Sequence, residues 1–84
     1  MRYVVVIPKK VQKEINKIDI RYRKKIQTAL LALRSDPFIG KKLEGKYEDQ
    51  WSFRVWPYRI IYRIENTKMI VLIIKVGHRQ KAYK

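Results

Sequence analysis

The chain has 84 residues, one histidine and no cysteine, with 21 Lys and Arg against 7 Asp and Glu, a formal net charge of +14. These counts exclude disulfides and thiolate metal sites, leave too few ligands for a zinc centre, and fit one domain whose core is small for its surface. Charge of one sign on this scale opposes compaction and signals an anionic partner: nucleic acid first, an acidic protein second and a membrane surface third.

In chain order, RYVVVI at 2–7 reads as a strand buried on at least one side. Pro8 ends it and suits the first turn of a helix, because proline's missing N–H is not needed there. Val11, Ile15 and Ile18 recur at helical spacing, with lysines on the other faces. Asp19 is placed to cap a second helix whose apolar stripe is Tyr22, Ile26, Ala29, Leu30 and Leu33. Ser35-Asp36-Pro37 closes that helix, since a proline disfavours helical geometry in the residue before it. Two helices joined this tightly form an antiparallel pair.

The segment FIGKKLEGKYEDQ reads as a loop too long to be an idle turn. Three strands follow, at about 50–56, 58–65 and 68–76. In the first, Trp51, Phe53 and Val55 share one face and Ser52, Arg54 and Trp56 the other. The third, KMIVLIIKV, is apolar on both faces and belongs in the sheet interior. The order predicts an α+β fold, β-α-α-β-β-β: an antiparallel sheet with a helical hairpin packed on one face, in a single domain over 1–84. The apolar run at 69–74 is too short to span a bilayer, and the opening strand is too short for a signal peptide. A cytoplasmic protein is expected, with no membrane partner and no cofactor.

Trp56-Pro57 is the bend between the first two of those strands. A two- or four-residue connection sets Arg54 opposite Arg59, whereas a three-residue one puts them on opposite faces. Proline suits the primed two-residue turns poorly, so the four-residue form is expected. Helices cover one side of the sheet, which leaves Arg54 and Arg59 on the other, with His78 and Arg79 arriving nearby at the end of the last strand. Guanidinium forks match phosphate oxygens and stay charged at any physiological pH. Trp56 shares the open face. Arg63 does too, but reads as a solvated strand residue.

Three segments resemble one family. RYVVVIPKKVQKEINKI is similar to the opening of RelE-type toxins from bacterial and archaeal toxin–antitoxin pairs. KKLEGKYEDQWSFRVWPYRIIYRI resembles their loop, strand and Tyr-Arg strand, and VLIIKVGHRQKAY their closing strand, glycine, basic pair and tyrosine. The resemblance implies a messenger-RNA endonuclease acting in the A site of the small ribosomal subunit (30S). There a substrate 2′-hydroxyl attacks the adjacent phosphate, leaving a cyclic phosphate and a free 5′-hydroxyl.

By position, the resemblance implies that Arg59 stabilises the transition state. Arg79 stabilises it or protonates the leaving oxygen, and Tyr83 stacks on or orients the RNA. Lys41, Lys42, Lys46, Trp56 and Lys81 hold substrate or ribosomal RNA. Arg54 and Ser52 stand where members of the family carry lysines. Arginine, with a pKa above about 12, is a poor proton acceptor. That makes Arg54 a supplier of charge and His78 the best-tuned group for proton transfer. The implied partner is an acidic RelB-like antitoxin. The alternatives are a ParE-like toxin, which shares the fold and the Pro-Tyr-Arg start but binds DNA gyrase, and an inactive RNA-binding relative.

Overall fold

A computed structural model describes residues 2–78. Strand β1 (Val4–Val6) leads into helix α1 (Lys9–Asn16), with Pro8 at the N-cap position in extended geometry. Val11 and Ile15 bury the inner face of α1, and Ile18 is buried in the connection that follows. Asp19 caps helix α2 (Ile20–Ser35): its carboxylate accepts from the Arg21 N–H at 2.9 Å. The neighbouring Arg21 guanidinium holds that carboxyl below the usual aspartate range. Arg23 donates to the Asn16 and Ile18 carbonyls, each at 2.9 Å, and so binds the end of α1 to the start of α2. Ile26, Ala29, Leu30 and Leu33 are the buried stripe of α2, as their spacing predicts.

Beyond α2, the supposed loop has more structure than its composition suggests. Asp36 caps a short 3-10 turn at Pro37–Ile39, accepting from the Phe38 N–H at 3.0 Å. Lys41–Lys42 then form a short strand, β2, followed by a second 3-10 turn at Gly45–Tyr47. Gly40, just before β2, has no room for a side chain, because a Cβ there would overlap the Tyr62 hydroxyl and crowd the Ser52 carbonyl.

The remaining strands are β3 (Trp51–Val55), β4 (Tyr58–Glu65) and β5 (Ile70–His78). All strands lie in one five-stranded sheet in the order β1-β5-β4-β3-β2. Strands β2 to β5 pair antiparallel, but β1 runs parallel to β5, so the sheet is mixed rather than antiparallel. Each short connection turns the chain back on itself. The unforeseen β2 adds one reversal between β1 and β5, which brings them to point the same way.

Residues of both helices and the inner sheet face form one core cluster, in which Ile26, Leu33, Ile60, Tyr62, Val71 and Ile73 are fully buried. Tyr62 donates to the Pro37 carbonyl at 2.7 Å and accepts from the Gly40 N–H, fastening the 3-10 turn to the sheet. Burial pushes its phenol up to about 12. Rings extend this inner surface, with Phe38 edge-on to Trp51 and Trp51 stacked on Tyr62. Among the described residues, no helix is long and apolar enough to cross a membrane.

Candidate functional site

The β3–β4 hairpin closes on two residues, Trp56 and Pro57, because Val55 already pairs with Tyr58. The four-residue connection is therefore not the one formed. The bond between Trp56 and Pro57 is cis, a turn distinct from the primed types that proline resists. Both lengths give the same register, and Arg54 stands directly opposite Arg59. Alternation sends both to the sheet face away from the helices, together with Ser52, Ile61 and Arg63.

The arginine pair borders a cleft of about 390 Å³ lined by Ile39, Gly40, Lys41, Ser52, Phe53, Arg54 and Arg59. Lys41 enters through the β2–β3 pairing, where it lies opposite Ser52. Ser52 is only 4% exposed, and its hydroxyl is buried without a hydrogen-bond partner in the protein. A cleft with two guanidiniums, an ammonium and an unsatisfied hydroxyl suits a ligand rich in acceptor oxygens. Lys42 is exposed on β2, and Lys46 lies over the Tyr47 ring in the second 3-10 turn, 5.2 Å from its centre. Arg63, further along the open face, pairs with Asp49 at 3.4 Å, in keeping with a solvated strand residue. Trp56 sits at the hairpin tip and is 56% exposed.

His78 does not join this group. Strand β5 carries a bulge: Ile61 pairs with Lys75 and Tyr62 with Ile73, so Ile74 is an extra residue. One inserted residue sends every later side chain to the opposite face. His78 therefore pairs with Tyr58 on the helical side, its ring edge-on to Tyr58 at 6.0 Å, and Tyr58 in turn meets Tyr22 of α2. The expectation that His78 lies beside the arginines is corrected by this register.

The same bulge turns Lys75 toward the open face, opposite Ile61, a position that simple alternation assigns to the core side. Lys75 is the site candidate that sequence reasoning missed. Its sequence signal is thin: a single lysine in the otherwise apolar run MIVLIIKV. Arg79, Lys81 and Tyr83 lie outside the described residues.

A family model described as the ParE toxin of type II toxin–antitoxin systems matches residues 5–83. The chain belongs to this family. Among solved structures, the toxin is similar to the RelBE2 toxin–antitoxin complex of Mycobacterium tuberculosis, with 26% identity over 94% of this chain and 100% of that one, at a TM-score of 0.86. It is also similar to the archaeal RelE–RelB complex of Pyrococcus horikoshii, with 26% identity over 98% of this chain and 100% of that one, at a TM-score of 0.82. The YoeB/ParE toxin of Agrobacterium tumefaciens shares the fold, with 20% identity over 90% of this chain and 98% of that one, at a TM-score of 0.75. No curated protein matches the sequence. The protein is thus a type II toxin of the RelE/ParE superfamily, with the two-helix, mixed-sheet architecture of RelE.

Proposed function

We propose that this toxin is a ribosome-dependent messenger-RNA endonuclease, and that its substrate phosphate sits against Arg54 and Arg59. The observation that carries the reading is the direct opposition of these two residues on the uncovered face, beside a cleft that also holds Lys41 and Ser52. Like charges facing each other across a ladder cost about 0.2–1 kcal/mol, and an anion bridging them reverses that sign.

In the reaction, the 2′-hydroxyl gives its proton to solvent as its oxygen attacks the phosphorus. The bond to the 5′-oxygen breaks and that oxygen takes up a proton, and negative charge grows on the non-bridging oxygens between the two steps. Arg59, in the central strand β4, faces those oxygens, and Arg54 flanks them from β3. Lys41 and the Ser52 hydroxyl hold the adjoining phosphate, and Lys42, Lys46 and Trp56 contact the strand or ribosomal RNA further out. Arg79 and Tyr83 retain the roles that the family resemblance gives them, and Lys81 binds the RNA backbone. Ser52 and Arg54 hold the two positions where members of the family carry lysines. Placement and charge, rather than a dedicated base, then supply the rate, and the ribosome orients the reacting hydroxyl. An acidic RelB-like antitoxin restrains the toxin by covering the arginine face.

A second reading has an observation of its own. The matching family model is that of ParE, so action on DNA gyrase by binding alone stands as the competitor. Purified toxin is expected to cut messenger RNA on programmed ribosomes at the A-site codon. Arg59→Ala should lower that rate by about 10²-fold or more while its melting temperature stays within a few degrees of the parent. Intact transcript on toxin-treated ribosomes, together with inhibited gyrase supercoiling, would overturn the reading in favour of the second.

A further inference from the structure

We infer that Lys75 is a further phosphate-contacting residue of the arginine face, a role that rests on the endonuclease reading above. Three observations converge on it. The β5 bulge delivers Lys75 to the open side of the sheet, where regular alternation would have buried it. Gly77, two residues on and on that same side, pairs directly with Arg59. The Lys75 side chain runs toward that glycine: a Cβ on Gly77 would lie 3.5 Å from the Lys75 Cε. The ammonium end of Lys75 is therefore carried along β5 toward the row that crosses the sheet through Arg54, Arg59 and Gly77.

This geometry makes an asymmetric basic ledge. Arg54 and Lys41 approach Arg59 from the β2–β3 side, and Lys75 approaches it from β5. Gly77, with no side chain of its own, leaves the space beside Arg59 to the Lys75 side chain, so a phosphate lying over Arg59 meets cations on both flanks. The arginines bring planar forks that fix oxygen positions, whereas an ammonium on a flexible stem follows a charge that moves as bonds change. Lys75 thus restores an ammonium to a site whose usual lysine positions hold Ser52 and Arg54.

A plainer role competes. Ile61 lies opposite Lys75 on the open face yet is only 3% exposed, so the lysine stem also shields an apolar residue. Lys75→Met separates the two roles, because it keeps the stem and removes the charge.

The test uses the full toxin and a labelled, short 2′-O-methyl RNA, which the toxin cannot cleave. Binding is followed by fluorescence anisotropy between about 50 and 200 mM salt. Loss of one phosphate contact on a single strand lowers the slope of log K against log[salt] by about 0.7. Lys75→Met is expected to show that loss with an unchanged melting temperature, and Lys75→Arg to restore the slope. On programmed ribosomes, Lys75→Met should cut more slowly by about 10²-fold. The inference is overturned if Lys75→Met keeps the parental slope and rate while Arg59→Ala loses both. Should Arg59→Ala also keep its slope, the arginine face does not bind RNA, and Lys75 falls together with the reading beneath it. A Lys75→Met toxin with parental slope and rate, beside a Lys75→Ala toxin with a lowered melting temperature, would assign Lys75 to shielding Ile61.

Discussion

Arg54 and Arg59 are like charges set directly opposite each other across the β3–β4 ladder, and that gives each a measurable signature. Removing one partner relieves repulsion worth about 0.2–1 kcal/mol. Arg54→Ala is therefore expected to melt at the same temperature as the parent or slightly above it, while cutting ribosome-bound message more slowly. A marked fall in melting temperature would make Arg54 a fold residue instead. His78 offers a contrast at the same scale. Its ring faces Tyr58 on the helical side, so His78→Gln should leave the neutral-pH dependence of cleavage intact. Loss of a limb of the pH–rate profile in that variant would return His78 to the chemistry. The arginine pair was legible because a hairpin is local: the register of Arg54 against Arg59 follows from Trp56-Pro57 and strand alternation, and two connection lengths give the same answer. His78 was not legible, because its face depends on Ile74, and nothing in MIVLIIKV marks that residue as the extra one.

Among the elements, the chain between α2 and β3 does the most unexpected work. It forms a 3-10 turn and the edge strand β2, and it brings Lys41 to the cleft. Its anchor is the Tyr62 hydroxyl, buried against Pro37 and Gly40. Gly40→Ala should cost about 1–3 kcal/mol, since the new methyl must displace that hydroxyl from a packed site. Tyr62→Phe should cost about 1–3 kcal/mol by leaving a buried carbonyl and N–H unsatisfied. Thermal melts measure both. Tyr62 also predicts an alkaline limit. With its folded pKa raised from 10.0 to about 12, the neutral phenol's contribution is complete below pH 10 and is lost as pH rises toward 12. Stability should fall across that window in the parent, and less steeply in Tyr62→Phe. The helices, by contrast, follow directly from the sequence. Asp19, Pro37 and the stripe from Ile26 to Leu33 mark the start, end and inner face of α2 through local chemistry alone.

At the scale of the molecule, charge works against the fold. The described residues span about 34 × 29 × 22 Å and belong to a chain of net charge +14. At about 0.01 M salt the Debye length is roughly 30 Å, so cations across the whole molecule repel one another; at about 0.15 M it falls to roughly 8 Å. The melting temperature is expected to rise between those two conditions, while affinity for RNA falls. A melting temperature insensitive to salt would show that the charges are already compensated within the fold.

The sequence by itself determined the net charge and its demand for an anionic partner, the two helices with their caps and stripes, and the opposition of Arg54 to Arg59. The charge is a sum that needs no fold. The helices and the arginine register depend on residues within a few positions of one another, where sterics and periodicity act directly. Only the tertiary structure decided that β1 lies parallel to β5, that Lys41–Lys42 form an edge strand, and that β5 bulges to turn His78 inward and Lys75 outward. Those outcomes depend on which strand becomes the neighbour of which. A single extra residue in one ladder reverses the facing of all that follow it.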